Sequence, residues 1–138
     1  MRGISDLDTL LAEMTPELIP VDYVFATVPT DEVSIYLALE PLGTFREAEG
    51  VTLILPRDTA LDRGLVASAP MQCITLAVHS SLEAVGLTAA VATELARHGI
   101  SANVLAAYHH DHVFVPSAQA DRALEALLAL SRNKRTGR

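Results

Sequence analysis

The chain has 138 residues, half of them hydrophobic and a fifth charged, with a net charge of −7. That balance describes one globular domain or two very small ones with a real core, and it excludes a disordered chain or a large multidomain enzyme. Of ten basic residues, four crowd positions 132–138; the remaining six face all seventeen acids over residues 1–131, a net of −11 that repels phosphate backbones and argues against nucleic acid.

Met1 to Leu11 lacks a secretory signal pattern, and no apolar run approaches the ~20 residues of a membrane-spanning helix, so the expectation is a cytoplasmic protein that does not engage membranes. Ser5 is a good N-cap for a short helix with Asp6 and Asp8 in its first turn and Leu7, Leu10, Leu11 and Met14 on one face, ended by Thr15-Pro16. Tyr23–Val28 reads as a strand closed by Pro29. Between Asp31 and Gly50 the pattern is mixed. Val33–Tyr36 could extend, but Leu37, Leu39, Leu42, Phe45 and Ala48 recur at near-helical spacing. This predicts a helix better formed from Pro41 and capped by Gly50. Val51–Leu55 is a strand stopped by Pro56, followed by a short helix, Asp58–Arg63.

The second half is cleaner. Cys73–His79 is a strand whose lone cysteine reads as a buried, inert thiol. Val85–Arg97 is a helix with Leu87, Val91 and Leu95 facing inward, Ala92 on the flank, and Gly99 as its cap. Ile100–Tyr108 and His112–Val115 are strands around a tight turn at His109-His110-Asp111. A last helix, Ala118–Leu130, turns Leu124, Leu127, Leu128 and Ser131 toward a sheet. The basic residues Arg132, Lys134, Arg135 and Arg138 read as a frayed, solvated end.

The halves form a degenerate repeat. Tyr23–Val28 matches Ile74–His79, Gly50-Val51 matches Gly99-Ile100, and Leu53–Pro56 matches Val113–Pro116. On this reading half one is β-α-β-α and half two is β-α-β-β-α. Neither closes a four-stranded unit alone, so sharing or exchanging strands, or dimerising, would reduce bare edges.

Ile74–Ala107 resembles the ACT domain, a small amino-acid-sensing module of metabolic regulation. The resemblance lies in a strand, a loop ending in Gly86 at a helix start, a helix ending Leu95-Ala96-x-x-Gly99, and then Ile100–Val104. FREAEG (45–50), HSSLEAVGLTAAVA (79–92), GISANV (99–104) and HDHVFVP (110–116) are similar to short bacterial tandem-ACT proteins of unknown function, across residues 2–131. The resemblance implies an α/β (α+β) fold of two ferredoxin-like halves, 1–68 and 69–138, packed into one unit. It implies amino-acid binding where ACT units meet, and no catalysis by the module. Carried onto this chain, the ligand-binding residues are Ser80, Ser81, Val85, Gly86, Leu87 and Thr88, facing Ala102, Asn103 and Val104. Half one has Pro29-Thr30-Asp31 in place of the serines and no match to Gly86.

The residues themselves suit that role. A glycine lets a ligand approach the backbone, free N–H groups at a helix start hold a carboxylate, and Ser81, Thr88 and Asn103 add polar groups, with Glu83 an acceptor for an ammonium. The plainer reading is a turn glycine, capping serines and an asparagine at a strand edge. His109, His110, Asp111 and His112 hold the atoms of a metal site, but alternate strand residues point to opposite faces, which favours turn and packing roles. There is no nucleophile elbow, P-loop or dinucleotide motif, and no cofactor is expected. The leading expectation is therefore a non-catalytic amino-acid-binding regulator, homodimeric, passing its signal to a separate protein target. The alternatives are a protein-interaction adaptor with a vestigial pocket, and a metal-dependent hydrolase built on His109–His112.

Overall fold

The computed structural model of the protein describes residues 6–78 and 85–137. Two compact units divide them. One is made of the described residues up to Pro20 together with those from Gln72 onward; the other is Val21–Met71. The strand β1 (Pro16–Val28) crosses the boundary, lending its beginning to the first unit and its longer remainder to the second.

In the Val21–Met71 unit, β1 leads through a 3-10 turn into α2 (Val33–Leu37), then β2 (Gly43–Glu47), β3 (Gly50–Pro56), α3 (Arg57–Asp62) and the two-residue strand β4 (Val66–Ala67). β3 pairs antiparallel with both β2 and β1, and β4 pairs with β1, giving the order β2-β3-β1-β4. This is a ferredoxin-like βαββαβ unit. Its core is Val28, Val51, Leu53 and Leu55 on one sheet face, covered by Val33, Tyr36, Leu39 and Leu65.

The helix expected from Pro41 onward does not form. α2 ends at Leu37, Glu40 takes a left-handed conformation (φ 52°) ahead of Pro41, and the chain returns as β2. Phe45 is opposite Thr52 in the ladder, and Gly50 starts β3 rather than capping a helix. A Cβ on Gly50 would lie 2.7 Å from the Val28 carbonyl oxygen, so the close strand approach accounts for this glycine. Leu37, Leu42 and Phe45 are 49, 50 and 70% exposed, so their spacing never marked a buried helical face. Half one therefore carries the same β-α-β-β-α run as half two, followed by β4, and the Gly50–Gly99 match dissolves. The greater length of the second half lies partly in its helix, eleven residues in α4 against five in α2.

The other unit opens with α1 (Leu7–Glu13), whose N-cap is Asp6, not the expected Ser5. Its carboxylate accepts from the Thr9 amide and hydroxyl at 3.0 and 2.6 Å, and those bonds hold its pKa below the usual value. After β1 come β5 (Met71–Leu76), α4 (Leu87–Arg97), β6 (Asn103–Ala106), β7 (Asp111–Pro116) and α5 (Ala120–Arg135). The strand order is β1-β5-β7-β6, so the N-terminal part of β1 fills the fourth-strand place that β5-α4-β6-β7-α5 leaves open. The Ala77 amide donates to the Thr15 carbonyl at 3.0 Å, tying the chain ahead of β1 to the end of β5.

The inward faces read from the sequence for α1 and α4 are the ones observed, whereas α5 buries Ala120, Ala123 and Ala126 beside Leu127 and Ser131 and leaves Leu128 out of the core. Leu87, Val91 and Leu95 of α4 join Leu10, Leu11, Met14, Ile74, Leu76, Val113, Val115 and Leu127 in one buried core. Each large apolar side chain buried there contributes roughly 1.5–3 kcal/mol. The C-terminus departs from expectation. α5 continues as helix to Arg135 and grips α1: Ser131, 1% exposed, lies 3.2 and 3.1 Å from the carbonyls of Ala12 and Met14. Arg135 donates to the Ala12 carbonyl and to the Ser131 hydroxyl, and Lys134 lies 3.4 Å from Asp8. Lys134 and Arg135 are fastenings between two helices rather than a frayed end; Arg138 lies outside the described residues. Among the described residues no helix is long and apolar enough to cross a membrane.

Candidate functional site

Gly86 immediately precedes α4 with φ 101° and ψ −15°, a conformation that L side chains rarely adopt. Its carbonyl accepts from Ala90 at 2.8 Å, closing the first helical turn, and no described side chain caps the helix start. The amides of the first turn lie at the positive end of an eleven-residue helix dipole. Leu87 is 3% exposed and anchors α4 in the core, so it can offer a ligand only its backbone. Val85, 83% exposed, and Thr88 lie open to solvent. Ser80, Ser81 and Glu83 lie outside the described residues.

Across the unit, Ala102 and Val104 pack against the same core as Leu87. Val104 is opposite Val113 in the β6–β7 ladder. Asn103 is opposite Phe114, on the sheet face turned away from that core. Leu87, Ala102 and Val104 therefore meet at one core cluster, Asn103 takes the alternate position, and Gly86 has Leu7 as its neighbour.

One neighbour of this region was not read from the sequence. A Cβ on Gly86 would meet Leu7 Cδ2 at 3.0 Å, so α1 lies against the start of α4. Leu7 is about eighty positions away, and no local pattern could have linked the two. A second unanticipated contact is at the end of β5, where His110 Nδ1 donates to the Val78 carbonyl at 3.3 Å.

The histidines at the β6–β7 turn are engaged separately. The Ala107 amide donates to the His110 carbonyl at 3.0 Å, His109 packs edge-on against Tyr108, and His112 Nδ1 is 3.0 Å from Thr75 Oγ1. Asp111 is 9% exposed. Burial pushes its carboxyl pKa up, against the pull of His112 and His110, and burial likewise depresses the His112 imidazole, helped by His110. Among the described residues no three His, Cys, Asp or Glu side chains converge as a metal would require. Cys73 is buried as expected, and desolvation pushes its thiol up to about 11.

Two ACT-domain models match the sequence, one over residues 2–72 and one over residues 68–129. The chain belongs to the ACT-domain family. It is a short tandem ACT-domain protein, built from a module that is regulatory and ligand-binding rather than catalytic. It is similar to a Vibrio cholerae protein of unknown function described as a possible transport protein: 56% identity, TM-score 0.83, covering 91% of this chain and 95% of that one. An Agrobacterium tumefaciens protein shares the fold at 16% identity and TM-score 0.70, over 86% of this chain and 89% of that one. The regulatory subunit of aspartate kinase from Thermus flavus shares it at 12% identity and TM-score 0.62, over 83% of this chain and 95% of that one. No curated protein matches the sequence.

Proposed function

We propose that this tandem ACT-domain protein is an amino-acid-responsive regulator whose ligand docks at the start of α4, its carboxylate on the first-turn amides. The site comprises Ser80, Ser81, Val85, Gly86, Leu87 and Thr88, with Ala102, Asn103 and Val104 from the start of β6. The observation that carries this reading is Gly86: left-handed, directly ahead of the longest of the described helices that join two strands, with no described side chain capping that helix. The matching place in the other unit opens a helix of five residues, whose weak dipole offers little to an anion. The protein acts in the cytoplasm as a homodimer, and the ligand favours one arrangement of copies over another, which a separate protein target reads. Such a ligand must bind the two arrangements unequally, because equal affinity shifts nothing.

The test is a thermal-shift panel of the twenty amino acids on protein without a His tag, followed by calorimetry on any that stabilise. One or a few related amino acids raising the melting temperature, with the rise lost in Gly86→Val relative to that variant's own apo value, supports the reading. Ser81→Ala should only weaken binding, by about 0.5–1.5 kcal/mol, the scale of one neutral hydrogen bond.

A second reading rests on Leu7. Its 3.0 Å approach already uses the space a Cβ on Gly86 would need, so the glycine has a structural reason independent of any ligand. If no amino acid stabilises the protein, the adaptor reading takes over, with the module serving as a protein-binding surface. The hydrolase reading is not retained, because His109, His110 and His112 are held by three different neighbours.

A further inference from the structure

The Val21–Met71 unit contains a hollow that the amino-acid reading does not use. It holds about 310 Å³ between α3 and the segment from Leu65 to Pro70, with Val24 of β1 also lining it. The space exists because the facing side chains are small: Ala60 on α3, and Ala67, Ser68 and Ala69 opposite. Leu61 and Leu65 complete apolar walls. The Ser68 hydroxyl is committed to the backbone, accepting from the Phe25 amide and donating to the Ala69 carbonyl, each at 3.0 Å. The Ser68 amide donates to the Phe25 carbonyl at 3.0 Å, so this wall is tied directly to β1.

The one charged residue lining the hollow is Arg57, the first residue of α3. No ion pair involving its guanidinium occurs among the described residues. At the matching point of the other unit, Pro116 is followed by Ser117 rather than by an arginine, and α5 runs for sixteen residues against six in α3. The guanidinium at this point is therefore a feature of one unit only.

We propose that this hollow binds a small monocarboxylate with a branched or short aliphatic chain. Arg57 would take the carboxylate through a bidentate pair, and the chain would fill the apolar space. A volume of about 310 Å³ stands at the small end of ligand sites. The lining contains no Asp or Glu to receive an ammonium, which favours a carboxylate without an α-amino group over an amino acid. The site is separate from the start of α4 and does not depend on the regulatory reading above.

The probe is 4-methylpentanoate, titrated into full-length protein and followed by amide chemical shifts, with leucine and 4-methylpentanamide as controls. Saturable shifts confined to residues 57–70 and their β1 neighbours are expected, with leucine and the neutral amide both weaker. Arg57→Gln, a change at an exposed position that leaves the fold intact, should weaken binding at least about tenfold, the effect of losing a charged hydrogen-bond partner. Ala69→Leu should block the hollow with Arg57 still present. The proposal is overturned by the absence of saturable shifts in the millimolar range, by equal binding of wild type and Arg57→Gln, or by shifts confined to α4. Gly86→Val should leave this binding unchanged, which separates failure here from failure of the amino-acid site.

Discussion

Leu7 of α1 lies over Gly86 at the start of α4, with Cδ2 3.0 Å from the point a β-carbon on the glycine would occupy. The contact joins the first helix of the chain to the helix start where an anionic ligand would dock. α1 is held in turn by α5, through the Ser131 and Arg135 bonds to its C-terminal carbonyls. The start of α4, the position of α1 and the C-terminal helix are therefore mechanically connected within one unit.

Gly86→Ala should lower stability by about 1–3 kcal/mol, because φ of 101° strains any L side chain and the new methyl presses on Leu7. Leu7→Ala relieves the pressing but not the strain. The double variant should accordingly be about 0.5–1 kcal/mol more stable than the sum of the single changes predicts. Urea unfolding of the four proteins measures this; strict additivity would show that the two side chains do not meet.

Ser131→Ala removes the buried hydroxyl that serves the Ala12 and Met14 carbonyls, and should cost about 1–2 kcal/mol. Arg135→Ala in that background should cost less than in wild type, since the two groups share a hydrogen bond and a carbonyl. Equal stability of Ser131→Ala and wild type would refute the fastening of α1 by α5.

The pH dependence near the β6–β7 turn has a definite sign. The imidazole of His112 has a folded pKa below its ordinary value of 6.5, so the unfolded chain takes up a proton first as pH falls. Its contribution to stability is present above about pH 6.5 and is lost on acidification below it. Asp111 works the other way: its raised pKa opposes folding where the carboxylate is ionised, and that penalty lifts as pH drops toward 3.8. Denaturation curves from pH 7.5 down to pH 5 should show falling stability, and His112→Asn, which keeps an acceptor near Thr75, should flatten the slope. An unchanged slope would remove His112 as its source.

Cys73 is 1% exposed, with its thiol pushed up to about 11. It should resist a thiol-specific disulfide reagent at neutral pH in folded protein and react promptly in denaturant. Fast labelling of the native protein would mean that β5 opens readily.

Replacing Leu95, fully buried in α4, with alanine should cost about 2–5 kcal/mol, whereas Leu61→Ala, at a position 59% exposed, should change stability by well under half as much. Melting curves of the two variants make the comparison.

Residue order alone determined the elements whose apolar side chains face one core. α4, β3, β7 and most of α5 were legible because burial imposes a period on the sequence, 3.6 for a helix and 2 for a strand. The ACT resemblance and the turn at Gly86 were readable for a related reason, since a fixed backbone geometry restricts the residue that can occupy it. β2 was not legible: it borders only β3, its apolar side chains are largely exposed, and without burial their spacing carries no period. Tertiary structure alone decided that the beginning of β1 serves as fourth strand beside β5, that Lys134 and Arg135 fasten α1, and that Leu7 covers Gly86. Each of these joins residues far apart in the chain, and such pairings are selected by packing and hydrogen-bond satisfaction in the folded state, which leave no local periodic trace.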